Sequence, residues 1–168
     1  KKFRLKDHTL HLCIMLIDKF CILNPNYVKK KNFQLVGLTC LMIACKIEEL
    51  YSPEVQDFVY ISDKAFSCND VLECERVILK TLNYDVMIDN MMTTYDSFID
   101  NDRKTKYYMD LSLLDDSIVH NFDLHEIVES CMELTHNRGF FWSECMEKIQ
   151  QFEKNNTFKE VKNKYGVN

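Results

Sequence analysis

FQLVGLTCLMIACKIEELYSPEVQDFVYISDKAFSCNDVLECERVILKTLNY, Phe33 to Tyr84, carries the reading that decides the fold. It opens with an almost unbroken apolar run, Leu35 to Ala44, that ends in Lys46-Ile47-Glu48-Glu49. A helix apolar all round is buried at the centre of its domain. A helix is therefore predicted over about 32–50, with Asn32 as its cap. Its charged last turn, Lys46, Glu48 and Glu49, falls where the core meets the surface. Gly37 inside it costs roughly 1 kcal/mol relative to alanine, which a closely crossing neighbour helix would explain.

Ser52-Pro53-Glu54 reads as a helix start, with Ser52 capping, Pro53 at the first helical position and Glu54 on the favourable end of the dipole. That helix is expected to end near Ile61. Ser67 caps the next, with Asp70 three residues on as in a capping box. Val71, Leu72, Glu75, Ile78, Leu79 and Leu82 then follow at spacings of three and four, so they share a face. The glutamate in that apolar stripe is the anomaly.

Before this stretch, Asp7 to Leu23 reads as a helix capped by Asp7, with Leu10, Ile14, Ile17, Phe20, Cys13 and Cys21 on its apolar face. Asn24-Pro25-Asn26 ends it, and Lys29-Lys30-Lys31 reads as a solvated entry to the central helix. After Asp85 four further helices are predicted: Asp89 to Asp100, Arg103 to His120, Asp123 to Asn137 and Ser143 to Phe152. Asn101-Asp102, Asn121 to Asp123 and Asn137-Arg138-Gly139 separate them. Gly139 is expected as a left-handed helix end; Phe158 to Val167, basic and aromatic, follow it.

Composition agrees with an all-α chain. Three glycines and two prolines in 168 residues are too few for the turns of a strand-rich fold. A net charge of −5 argues against a nucleic-acid surface, which carries a basic excess. The eight cysteines include no C-x-x-C pair, and Cys13, Cys21, Cys40, Cys45, Cys74 and Cys131 lie inside apolar helical runs. They read as small buried hydrophobes, not as a disulfide framework. No signal peptide and no apolar run of transmembrane length is visible, so no membrane association is expected and the nucleus and cytoplasm are the expected compartments. The first residue is Lys1, and a natural start upstream of it is expected.

Sites for chemistry are scarce. His8 and His11 share a helix face but Cys13 points elsewhere, and zinc needs three converging ligands, so no metal is expected. Asp115 and Asp116 diverge by about 100° on a helix. No phosphate-cradling glycine loop or nucleophile elbow is present, so neither catalysis nor a cofactor is expected. By spacing alone, Lys46 and Glu75 read as an intrachain salt bridge, and Ile43, Ile47, Leu79, Tyr84 and Val86 as core residues. Glu48 and Glu49 face an unfavourable dipole at a helix C-terminus, which points mildly to a cationic partner.

LVGLTCLMIACKIEELYSPEVQDFVYI and VLECERVILKTLNYDV resemble the cyclin box of mitotic A- and B-type cyclins, the activating subunits of cyclin-dependent kinases. The core of the resemblance runs from about Thr9 to Val86. It implies an N-terminal cyclin box over 1–86, with its first helix expected upstream of Lys1, and a shortened second cyclin-like helical domain over 87–168. Lys106 to Asp115 resembles the second helix of that domain. The resemblance implies that Lys46 and Glu75 pair and hydrogen-bond the backbone before the kinase's regulatory helix. Ile43, Ile47, Leu79, Tyr84 and Val86 would supply the apolar surface around them, and Glu48 and Glu49 would approach an arginine of the kinase's activation segment. Phe33 and Gln34 would form the central-helix share of a substrate-recruitment patch for kinase substrates or inhibitors, and Asp18 matches an acid whose arginine partner lies upstream. The implied function is regulatory: binding and activating a cyclin-dependent serine/threonine kinase in cell-cycle control, with the kinase holding the ATP. A second reading keeps the fold without activation, as an adaptor that binds a kinase or a transcription factor. An enzyme would require a converging His/Cys site or a reactive thiolate.

Overall fold

The structure, a computed structural model, describes residues 3–137, 143–156 and 158–166. It is all-α: ten helices and no strand among the described residues. Two compact units divide after Asp89, three residues beyond the sequence-based boundary at 86.

The first unit holds α1 (Asp7–Leu23), α2 (Phe33–Glu48), α3 (Val55–Ile61) and α4 (Cys68–Thr81). Helix α2 is central, packed against α1, α4 and α3. Its Val36, Cys40, Met42, Ala44 and Cys45 are fully buried, as the apolar run requires. One core joins Leu12, Leu16 and Phe20 of α1 to Val36, Cys40 and Ile43 of α2 and Cys74, Ile78 and Leu82 of α4. A smaller one joins Met42 and Cys45 to Phe58 of α3 and Val71 of α4.

Several local expectations need correction. Helix α1 is capped by the backbone of Lys6, not by Asp7, which is its first residue. Its buried residues are Thr9, His11, Leu12, Cys13, Leu16 and Phe20, so Cys13 and Phe20 face inward as expected, whereas Leu10 is 39% exposed and Ile14, Ile17 and Cys21 are half-buried. A helix with apolar residues on every side gives periodicity no face to choose, so neighbouring helices choose it. Asn32 precedes α2, but its side chain turns back, accepting from the Lys29 N–H at 2.7 Å and donating to the Tyr27 carbonyl at 2.9 Å. Helix α3 begins at Val55 rather than Pro53, because the Asp57 carboxylate accepts the Glu54 N–H at 3.1 Å and so fixes Glu54 as the cap. The Ser67–Asp70 capping box forms as expected, with both reciprocal bonds present.

Gly37 is not held by steric need. A Cβ built there would meet Ile17 Cδ1 at 3.9 Å, ordinary van der Waals contact. Gly37→Ala is therefore expected to stabilise the first unit by about 0.5–1 kcal/mol, through lower backbone entropy of the unfolded chain. Urea denaturation measures this; a destabilised variant would show that α1 cannot yield at this crossing.

The second unit holds α5 (Met91–Tyr95), α6 (Arg103–Ser112), α7 (Asp116–Asn121), α8 (Leu124–His136), α9 (Glu144–Asn155) and α10 (Lys159–Tyr165). Helix α8 packs against α6, α5 and α9, and α10 lies on α6. The helix expected over Arg103 to His120 is two. The Asp115 carboxylate accepts the Ser117 N–H at 2.9 Å and the Ser117 hydroxyl at 2.7 Å, so local side-chain bonding restarts the chain as α7. The helix expected from Asp89 is short and starts after Asn90, whose side chain caps the N–H groups of Met92 and Thr93. Asn137 is the left-handed residue that ends α8 (φ 47°); Gly139, expected as a left-handed helix end, lies outside the described residues. Asp110, with its side chain 5% exposed, accepts from Lys164 Nζ at 2.7 Å and from the Tyr165 hydroxyl at 2.9 Å. This buried carboxylate fastens α10 to α6.

Candidate functional site

The end of α2 and the middle of α4 lie side by side, and the structure brings Lys46 and Glu75 together, Nζ to Oε1 at 2.5 Å. The pair is asymmetric: the Lys46 side chain is 46% exposed and that of Glu75 only 14%. Lys46 sits in the last turn of α2, where a cation meets the negative end of the helix dipole. Glu75 stands on the flank of the α4 stripe, beside the buried Cys74 and Ile78. A carboxylate that far from water keeps its charge at the expense of hydration, so it holds the lysine closely.

Apolar surface surrounds this pair unevenly. Ile47, Leu79 and Val86 are half-buried and lie against the first unit's core. Tyr84 is 66% exposed. It sits in a Schellman-type turn that ends α4, its N–H bonded to the Leu79 carbonyl at 2.8 Å. Both Asn83 (φ 51°) and Tyr84 (φ 60°) are left-handed, a conformation costly for a bulky L residue and kept where the surroundings demand it. Ile43 departs from the expected surface set. It is 3% exposed and belongs to the core between α1, α2 and α4, because its position in α2 faces inward.

The two acids of the rim also differ from expectation. Glu48 is half-buried, and its carbonyl accepts Lys6 Nζ at 2.5 Å. Glu49 does not stand free for a foreign cation: its Oε1 accepts the Lys6 N–H at 2.7 Å and the Thr9 hydroxyl at 2.5 Å. It thus ties the residue before α1 and the first-turn Thr9 side chain to the end of α2. Partial burial pushes the Glu49 carboxyl up, but the bonds from Thr9 and Lys6 and the Lys6 charge outweigh it, and the net shift is downward. Sequence spacing gave no sign of this, since the partners lie forty and more residues apart.

A carboxyl held below its unfolded value contributes stability above the ordinary carboxylate range, and loses it as pH falls through the folded value. Glu49→Ala should therefore cost about 1 kcal/mol at neutral pH, the usual net worth of a hydrogen bond in a partly exposed setting. The gap to the parent chain should close in acid. Urea unfolding at the two pH values checks both; a gap independent of pH would mean that lost contacts, not the charge, set the cost.

Phe33 (51% exposed) and Gln34 (exposed) lie in the first turn of α2, about 20 Å along that helix from Lys46. Asp18 is half-buried on α1. The two expected surfaces thus occupy opposite ends of one helix.

All eight cysteines are free thiols. Burial, with the charge of Cys45, pushes Cys13 up to about 12, and burial, with Glu49, pushes Cys45 up to about 11. Such thiols stay protonated and are poor nucleophiles. No group of three or more His, Cys, Asp or Glu side chains converges as metal ligands among the described residues. No described helix is long and apolar enough to cross a membrane.

The model of the cyclin N-terminal domain matches residues 1–87. G2/mitotic-specific cyclin-B2 of Oryzias latipes is 32% identical over 161 residues, covering 90% of this chain and 41% of the relative. The cyclin-B2 of Homo sapiens is 36% identical over 126 residues, 71% of this chain and 31% of the relative. That of Gallus gallus is 37% identical over 126 residues, with the same two shares. The chain thus spans well under half the length of these curated relatives. A helical box built on a buried α2, a charged pair at its rim, and a family match over more than half the residues agree: the chain belongs to the cyclin family.

Proposed function

We propose that this chain is a regulatory subunit that binds and activates a cyclin-dependent serine/threonine kinase in mitotic control, and that Lys46 and Glu75 are the centre of its docking surface. The observation that carries this is the pair itself: an opposite-charge couple with one carboxylate only 14% exposed, on the unit that also presents half-buried Ile47, Leu79 and Val86 and the left-handed, exposed Tyr84. Such a pair has hydrogen-bonding capacity left over for a foreign backbone, since an ammonium has three donors and a carboxylate about four acceptor sites. Docked on the kinase's regulatory helix, it favours the inward position that completes the kinase's own lysine–glutamate ion pair. Activation follows only if the chain binds the active state more tightly than the inactive one.

Glu48 borders this surface, while Glu49 serves α1, so an arginine of the kinase meets Glu48 first. Phe33 and Gln34 supply the chain's share of a recruitment surface for kinase substrates or inhibitors. The nucleus and cytoplasm are the compartments where such a subunit acts. The chain's role is allosteric, with the chemistry carried out by the partner.

The test mixes the chain with inactive monomeric cyclin-dependent kinases and follows phosphorylation of a histone-type substrate. Stimulation is the expected result. Stable binding without stimulation would make the chain an adaptor, and absence of binding would overturn the docking reading.

A further inference from the structure

The segment between α2 and α3 carries a feature that docking does not use. Ser52 is followed by Pro53, the dipeptide recognised by proline-directed serine kinases. Residues 49–54 are non-helical, and Leu50 (83% exposed) and Tyr51 (88% exposed) stand out into solvent just before the serine. A kinase takes its substrate from non-helical chain with accessible flanks, and residues 49–54 meet that requirement in the folded unit. The Ser52 hydroxyl makes one weak bond, to the Pro53 carbonyl at 3.4 Å. Ser52 also lies on the wall shared by two open clefts. One is lined by Phe3, Tyr51, Pro53, Glu54 and Asp57. The other, of about 460 Å³, is lined by Lys46, Pro53, Glu54, Val55, Gln56 and Cys68.

We propose that Ser52 is a phosphorylation site for a proline-directed kinase, and that its phosphate captures Lys46 and so takes it from Glu75. In the transfer, the Ser52 Oγ–phosphorus bond forms and the bond from the γ-phosphorus of ATP to its bridging oxygen breaks. The hydroxyl proton passes to the base of the modifying kinase, and ADP leaves. The phosphoserine carries close to two negative charges and three acceptor oxygens. Glu54 borders both clefts, but the first adds the acid Asp57, whereas the second adds Lys46, the one cation among the described residues lining either. A dianion competes well against the single charge of Glu75 for that ammonium. The consequence for docking rests on the reading proposed above: with Lys46 withdrawn, the charged pair at the centre of the surface is broken.

The experiment treats the folded chain with a proline-directed serine/threonine kinase and magnesium ATP. Peptide mapping should find one phosphoryl group on Ser52 and none there in Ser52→Ala. The ³¹P titration midpoint of the phosphoserine should move upward in Lys46→Ala, because the cation that favours the dianion is gone. The phosphorylated chain should bind a cyclin-dependent kinase about tenfold or more weakly than the unmodified chain, with Ser52→Ala binding as the unmodified chain does. A folded chain that takes no phosphate at Ser52 overturns the site, and a ³¹P midpoint indifferent to Lys46→Ala overturns the capture. An unmodified chain that binds no cyclin-dependent kinase overturns the docking reading alone, since the first two readings do not depend on it.

Discussion

Lys46→Ala and Glu75→Ala should each weaken the complex with a cyclin-dependent kinase by about 2–5 kcal/mol, from roughly thirtyfold to several-thousandfold, because each leaves its partner buried in the interface without a counter-charge. In the free chain the same changes should be mild. Lys46 is nearly half exposed, and a pair with one partner in water contributes at most about 1 kcal/mol. Lys46→Ala should be the costlier for folding, since it abandons the poorly hydrated Glu75, whereas Glu75→Ala leaves a lysine that can turn to solvent. Calorimetric titration with the kinase and thermal melts of each free variant separate the two effects. A large fall in melting temperature with unchanged affinity would assign the pair to folding. A double-mutant cycle gives the coupling between the two residues directly.

The second large effect belongs to the second unit. Asp110→Ala should destabilise the second unit by about 2–3 kcal/mol, lowering its melting transition by about 10 °C. The carboxylate is buried and receives both Lys164 and the Tyr165 hydroxyl. Its loss removes the acceptor on α6 that Lys164 and the Tyr165 hydroxyl share. Lys164 is 39% exposed and can turn to water, which keeps the cost below that of a fully buried pair. Asp110→Asn, which keeps an acceptor for Tyr165, should cost less than the alanine. Hydrogen exchange should show α10 opening in the alanine variant while α8 stays protected; uniform loss across the unit would mean that Asp110 supports the whole core.

Where sequence and structure part company, the cause is consistent. Chains of local signals carried through: the Ser67–Asp70 box starts α4, the apolar run is a buried α2, and Asn24-Pro25-Asn26 ends α1. Errors arose where two signals competed within a few residues. Pro53 as a first helical position lost to the Glu54–Asp57 box, and the continuous pattern from Arg103 lost to the Asp115–Ser117 turn. On α1 the apolar residues cover every side, so of its buried residues only Cys13 and Phe20 were legible in the sequence. At the site, the Lys46–Glu75 pair was legible because both lie on strongly patterned helices of a recognisable family. The commitment of Glu49 to Thr9 and Lys6 and the inward turn of Ile43 were not, since each depends on the angle at which α1 crosses α2.

The sequence by itself determined an all-α chain, the centrality of α2 and the kinship with cyclins, because apolar periodicity, helix stops and residue order are properties of a chain read along its length. Only the tertiary structure decided which acids bond within the chain, as Glu49 does with Lys6 and Thr9. It also decided which half-buried apolar residues reach the surface, and that Ser52 shares a cleft with Lys46. Those outcomes depend on distances between residues far apart in the chain. Such distances are set by how helices stack, and no periodicity within one helix encodes them.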